Sequence, residues 1–179
     1  MGRADWKRGR WSPEVETQAI ADGLRGYQPQ FGDEIAYFRY DFAHSVKHNV
    51  YDEAAGPGRA FKGPVAVPAL SVVHSFGGDT LEETGFYTND EIEVVCGFRQ
   101  LGRTGLSHAD LRNERYLRDR LAYDGKLFRV LAMSIRGQIV RSDVVATIRA
   151  TQLKPDEISN DVLFAQYAVS HSRLGHTEA

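Results

Sequence analysis

The sequence contains a single cysteine, Cys96, among its 179 residues. One thiol cannot form an intramolecular disulfide, and it cannot supply a thiolate-rich zinc site. The fold is therefore expected to form in a reducing compartment, which predicts assembly in a cytoplasm. Because Cys96 lies in an apolar stretch, a small buried side chain is favoured over the alternative of a reactive thiol.

Long hydrophobic runs and an excess of one charge are also missing. No window reaches the ~18 apolar residues of a membrane-spanning helix, and no apolar segment follows the basic residues near the start. The sequence therefore predicts a protein that is neither secreted nor inserted in a membrane.

Positive and negative charges nearly balance, since Lys and Arg number 22 and Asp and Glu number 24. Any contact with DNA therefore has to be local.

Strand-forming patterns dominate the middle of the chain. Aromatic and β-branched residues are concentrated in IAYFRYDF, directly after Glu34. Further on, Ile92, Val94 and Cys96 alternate with other residues at the period of a half-buried strand. The segment VAVPALSVVHSF contains Pro68, which predicts an edge strand, a bulge or a break.

Turn signals indicate how the last strands connect. Asp124-Gly125 lies between apolar flanks and favours the type I′ turn of a two-residue hairpin. A second turn is expected at 136–138, so that strands at 126–135 and 139–152 extend the hairpin into a three-stranded meander.

The predicted fold is mainly β, a small antiparallel β-barrel with long loops and one or two short helices, because closure removes exposed strand edges. The barrel is expected to span 34–154, after a basic arm at 1–33 and before a short helix and polar tail at 155–179. Within the arm, Pro13 favours the start of a helix that continues over 15–24. Ser107 and Asp110 have capping-box spacing, with a helix or an ordered loop as the alternatives there.

Residue patterns typical of catalysis are few. Asp41, His44 and His48 form the one dense group that resembles metal ligands. If this segment forms a helix, the two histidines share one of its faces. The preceding residues are typical of a strand, however, where the histidines lie ~13 Å apart, and the glutamate of H-E-x-x-H is missing. Histidines at a surface or an interface are therefore favoured, and neither a cofactor nor an enzymatic activity is expected.

Charged residues in and near the loops are the candidates for contacts with other subunits. Two glycine-rich excursions, 54–62 and 77–85, are expected to face a ring neighbour or a channel. An acidic group at 79–93 and an arginine run at 112–120 offer opposite charges for docking, with binding of a hard cation as the alternative for the acidic group. The interface candidates are Tyr51, Asp52, Glu53, Arg59, Asp79, Glu82, Glu83, Arg112, Arg115 and Arg118.

Four segments occur in an order that resembles a known family. They are FRYDFAHSVKHNVYDEA, GPVAVPAL, GFYTNDE and YLRDRLAYDGKLFRV. The sequence resembles, over about residues 35–153, the head-to-tail stopper proteins of siphophages, also called head closure or head-tail connector proteins. The resemblance rests on a V-Y-D-E segment at 50–53, a V-P-x-L segment at 67–70 and a D-R-x-x-Y-D/N-G hairpin at 119–125.

The resemblance implies a non-enzymatic β-barrel subunit of the virion neck, assembled in the host cytoplasm. Such subunits form a homo-oligomeric ring, here expected to be a hexamer, that closes the DNA-filled head and provides the surface for tail attachment. Its partners are the portal and adaptor complex above and the tail terminator or tail tube below, with a contact to genomic DNA in the channel and none to a membrane. The alternatives are a tail terminator or tail-completion ring protein and, from Asp41, His44 and His48, a small metal-dependent hydrolase.

Overall fold

A computed structural model describes residues 32–46, 58–77, 79–82, 85–88, 90–139, 142–154, 157–158 and 161–167, with scattered positions between 15 and 30. The strands are β1 (Asp33–Tyr40), β2 (Phe61–Ser75), β3 (Asp79–Glu82), β4 (Gly85–Thr88), β5 (Glu91–Gly97), β6 (Arg120–Tyr123), β7 (Lys126–Ile139) and β8 (Ser142–Gln152). Six of them close an antiparallel barrel in the order β1-β2-β5-β8-β7-β6, and β3 and β4 form a separate two-stranded sheet. The prediction of a mainly β, small barrel is confirmed.

The alternation of side chains along the strands gives the barrel two apolar layers. Ile35 and Tyr37 of β1 point into the barrel, where they pack with Ile92, Val94 and Cys96 of β5. The intervening side chains of β1 point outward. There they belong to a second cluster formed by Phe38, Ala122, Leu127, Leu153, Ile158 and Phe164. Leu153, Ile158 and Phe164 therefore cover part of the outer surface of the barrel.

Strand β2 is long enough to pair with two neighbours in succession. Its first half, through Ala69, pairs with β1, and its second half pairs with β5. Pro68 does not interrupt the strand, and the ladder to β5 shifts register between Ala69 and Ser71. A bulge at this position was one of the three outcomes expected from Pro68.

The hairpin between β6 and β7 has the predicted turn. Asp124 and Gly125 both have positive φ, 48° and 70°, and Tyr123 pairs with Lys126 across them. The second predicted turn is wrong, because β7 continues through 136–138 to Ile139, which pairs with Ser142. Gly137, with φ of 72°, is accommodated within the strand and therefore does not mark its end.

Short helices connect β5 to β6. They are the α-helices Phe98–Leu101 and His108–Arg112 and the 3-10 helices Gly102–Thr104 and Arg115–Arg118, and a further 3-10 helix follows β8 at Val162–Phe164. The predicted capping box is present, since Ser107 accepts from the amide of Asp110 and its own amide donates to the Asp110 carboxylate. The described positions between 15 and 24 are helical, in agreement with the helix expected after Pro13, and the helical positions 26–27 and 30 lie beyond its predicted end. No helix among the described residues is long and apolar enough to cross a membrane.

Candidate interaction site

A cavity of about 290 Å³ opens on the outer surface of the barrel, and four arginines contribute to its wall. We call it the arginine cavity. Its lining residues are Tyr40, Arg59, Phe61, Leu117, Arg118, Arg120, Arg129, Leu153 and Glu157. They come from the end of β1, the residues just before β2, the starts of β2 and β6, strand β7, the 3-10 helix before β6, and the segment after β8.

The β6–β7 hairpin places two of these arginines directly opposite each other. Arg120 pairs with Arg129 in the antiparallel ladder, while their neighbours Leu121 and Phe128 pair with each other and face the barrel interior. Paired residues share one face of a sheet, and like charges in that position destabilise it. The outward face of the hairpin therefore carries two adjacent positive charges.

Arg120 is held in place by buried partners. Its side chain is 3% exposed, and Nη1 donates to Asp161 Oδ2 over 3.1 Å. The guanidinium lies 4.7 Å from the ring centroids of both Phe61 and Phe164, a geometry that is favourable for a cation and an aromatic face. Burial lowers the pKa of Arg120, and Asp161 opposes that shift. This arginine is therefore a fixed positive charge in the cavity wall.

Apolar side chains surround the mouth of the cavity. The guanidinium of Arg118 lies 5.6 Å from the ring centroid of Tyr40 and 5.8 Å from that of Phe42. Phe42 and Leu117 remain 39% and 40% exposed. Arginine and aromatic residues are enriched at protein interfaces, where apolar side chains form the buried centre. The composition of this surface is therefore typical of protein interfaces.

The cavity has unused capacity to bind an anion. Its described lining holds four arginines and one glutamate, and Asp161, outside the lining, binds one of the arginines, Arg120. In the part of the chain that the structure describes, Arg118 and Arg129 form no ion pair with a carboxylate. The hydroxyl of Tyr40 is also buried there without a hydrogen-bond partner. A buried hydroxyl without a partner costs free energy, which an incoming acceptor would recover.

A buried carboxyl group supports the cavity from the barrel side. Asp119 accepts a hydrogen bond from the Tyr37 hydroxyl over 2.6 Å and another from the Tyr40 amide over 2.8 Å. Burial raises the pKa of Asp119 to about 6, although both hydrogen bonds and Arg39 act in the opposite direction. Asp119 thus fixes the end of β1 next to the start of β6, where Tyr40 and Arg120 enter the cavity.

The structure brings together two of the predicted interface residues. Arg59 and Arg118 both line the arginine cavity although they are far apart in the sequence. Arg112 is exposed at the end of its helix, and Arg115 contacts Asp110 at 3.5 Å, so these two arginines do not contribute to the lining. Asp79 and Glu82 are the end residues of β3 in the separate sheet. Tyr51, Asp52, Glu53 and Glu83 lie outside the described residues.

The candidate metal ligands form a different arrangement. Asp41 Oδ2 lies 2.7 Å from His44 Nδ1 and 3.2 Å from Lys62 Nζ. The hydrogen bond from His44 is the main cause that lowers the pKa of Asp41 to about 2. An ammonium group next to the carboxylate disfavours a cation there. His48 lies outside the described residues, within which no group of three His, Cys, Asp or Glu is placed to hold a metal.

Arg120 belongs to the arginine run predicted for docking, but Arg129 was not among the predicted interface residues, although the sequence contains the signal for their pairing. A two-residue turn at Asp124-Gly125 fixes the register of the hairpin, and counting outward from it pairs residue 120 with residue 129. The contributions of Tyr40, Phe61 and Arg59 carry no such signal, because they depend on the closure of the barrel.

Cys96 is buried, with a thiol pKa raised to about 12 by burial, as expected for a packing residue.

Comparisons with known proteins find little similarity. No family model matches the sequence, and no curated protein matches it either. Among solved structures, the fold is similar to a chain described as "Virion of native gene transfer agent (GTA) particle", with 11% sequence identity and a TM-score of 0.45. The match covers 68% of this chain and 94% of the other. A similarity at this level carries no argument about function.

Proposed function

We propose that this chain is a structural protein of a tailed-phage virion. In this proposal it forms a ring in the neck, between the portal and adaptor complex and the tail, closes the filled head and provides the surface for tail attachment. The proposal assigns no catalytic step to the chain, and it includes assembly in the host cytoplasm.

The observation that carries the proposal is the arginine cavity with its apolar surroundings. A fixed guanidinium, aromatic walls and exposed Phe42 and Leu117 form a surface suited to a protein partner. Such a surface on a closed barrel is what a subunit of an assembly requires, because the barrel itself leaves no strand edge for pairing. The surface therefore supports a role in assembly.

The segments that resemble the stopper family contribute to this surface. The D-R-x-x-Y-D-G segment supplies the buried Asp119, the cavity arginine Arg120 and the Asp124-Gly125 turn that sets the register with Arg129. The V-P-x-L segment lies in β2, where Val67 and Ala69 belong to the barrel core. The position in the neck rests on the order of these segments in the sequence.

Cryo-EM of tailed particles that contain this chain tests the proposed position. The expected result is a ring of barrels between the adaptor ring and the tail tube, present also in filled heads that lack tails. A ring found on free tails and missing from tailless heads would assign the chain to the alternative, a tail terminator or tail-completion protein. Absence from the particle would contradict the proposal as a whole.

The alternative function, a metal-dependent hydrolase, would use Asp41, His44 and His48 as metal ligands. A hydrolase of this kind requires a bound metal and loses activity when its ligands are removed. We expect the purified protein to contain no stoichiometric metal and to assemble equally well after His44→Ala and His48→Ala. Stoichiometric metal that is lost in these two variants would favour the hydrolase.

A further inference from the structure

The arginine cavity is suited to an anionic occupant. Arg120 is bound to Asp161, but its ladder partner Arg129 and the cavity residue Arg118 form no ion pair with a carboxylate of the described residues. The buried hydroxyl of Tyr40 adds a donor that has no acceptor among the described residues. A carboxylate next to Arg118 and Arg129 would neutralise their charges and accept charge-assisted hydrogen bonds. The chemistry of the cavity therefore favours an oxyanion.

Protein carboxylates fit this surface better than the phosphates of a nucleic acid. Every positive charge in the lining comes from arginine, and exposed Phe42 and Leu117 adjoin it. Interfaces with DNA are highly positive and polar, whereas Arg and aromatic residues next to exposed apolar side chains are typical of protein interfaces. The net charge of −2 gives the whole chain no general attraction to a polyanion.

A surface of opposite character lies on the other side of the same barrel. Strand β5 is three strands away from β6 in either direction around the barrel. Its outward side chains include the exposed Glu91 and Glu93, and the exposed Val73 of β2 pairs with Glu93. Arg149 of β8 pairs with Glu93 and lies 3.5 Å from Glu91 at an exposed position, where a contact of this kind is weak.

We infer that the arginine cavity of one copy receives the carboxylates of Glu91 and Glu93 from the next copy. Acidic and apolar groups on β5 would meet basic and apolar groups around β6. Because the two surfaces lie on opposite sides of one subunit, the contact is head-to-tail, and head-to-tail contacts close into rings when the rotation permits. The inference rests on the proposed function, and it names the surface that joins neighbouring subunits.

A charge swap between Arg129 and Glu93 tests the contact. Arg129→Glu reverses the charge in the cavity and places a carboxylate opposite Arg120, so the variant is expected to fold. Glu93→Arg reverses the charge on the other surface. Each single variant is expected to weaken self-assembly at least about tenfold, as is typical of a close interfacial charge pair. The chain that carries both changes is expected to recover assembly, because the opposite charges meet again.

Native mass spectrometry and negative-stain electron microscopy measure the assembled fraction against concentration. Arg136→Glu is the matched control, since Arg136 is an exposed arginine of β7 that does not line the cavity. If the wild-type chain assembles and the single variants behave like Arg136→Glu, the inference is wrong and the proposed function stands. A wild-type chain that does not assemble at any concentration would contradict both.

A binding measurement separates the carboxylate from a nucleic-acid phosphate. Fluorescence anisotropy with a labelled DNA duplex is expected to give the same affinity for the wild-type chain, Arg129→Glu and Arg136→Glu. A loss of DNA binding confined to Arg129→Glu, together with no recovery of assembly in the double variant, would assign the cavity to DNA and overturn the inference.

Discussion

Asp119 is a buried acid whose ionisation couples the stability of the barrel to pH. Its side chain is 1% exposed, and burial raises its pKa from 3.8 to about 6. Between about pH 4 and pH 6 the folded chain keeps this carboxyl group protonated while the unfolded chain ionises it. Its contribution to the free energy of unfolding is therefore present at low pH and is lost as the pH rises through about 6.

Asp119→Asn removes this dependence, because the amide cannot ionise. The amide oxygen can still accept from the Tyr40 amide, and the amide nitrogen can donate to the Tyr37 hydroxyl. We compare the free energy of unfolding of the wild type with that of the variant. The difference, wild type minus variant, is expected to decrease by up to about 3 kcal/mol between pH 4 and pH 7, since one pKa unit corresponds to about 1.4 kcal/mol. Urea unfolding at the two pH values measures this difference. A difference that is the same at both pH values would contradict the proposed ionisation.

At the scale of an element, the β6–β7 turn depends on a conformation that glycine adopts easily. Gly125 has φ of 70°, whereas Gly102 has φ of −57°, and a Cβ at either position meets no atom within 4 Å. Gly125→Ala is therefore expected to destabilise the fold by about 1–2 kcal/mol from backbone strain alone. Gly102→Ala, the matched control, is expected to be neutral or to stabilise by up to about 1 kcal/mol. Thermal unfolding measures both changes, and equal effects would argue against the type I′ turn.

Phe164 is one of the buried side chains that attach the segment after β8 to the barrel. Phe164 is fully buried, with its ring centroid 4.9 Å from that of Phe38 and 5.1 Å from that of Phe61. Phe164→Ala is expected to cost about 3–5 kcal/mol of unfolding free energy, because it opens a cavity in the outer layer. Val162→Ala in the same 3-10 helix is the control, since Val162 is 89% exposed and a change within about 0.5 kcal/mol is expected. Chemical denaturation distinguishes the two, and a small effect of Phe164→Ala would show that the segment contributes little to stability.

For the whole molecule, the sequence predicted the barrel better than it predicted the site. Alternation in β5 and the Asp124-Gly125 turn are local signals, and both were sufficient for correct predictions. The covering of the barrel by Leu153, Ile158 and Phe164 depends on contacts between distant residues. The arginine cavity shares this dependence, since Arg59 and Arg118 approach each other only after the barrel closes.

The charges around the barrel predict how assembly responds to salt. A contact between arginines and carboxylates is screened when the Debye length falls from about 10 Å at 0.1 M to about 3 Å at 1 M. We expect the association of the wild-type chain to weaken by about tenfold or more over this range, measured by sedimentation velocity. Arg129→Gln removes one charge of the contact and is expected to reduce the salt dependence, while Arg136→Gln keeps the wild-type dependence.

Salts that are excluded from protein surfaces strengthen apolar contacts instead. Association that strengthens from 0.1 M to 1 M salt would therefore assign the contact to Phe42 and Leu117 rather than to the arginines.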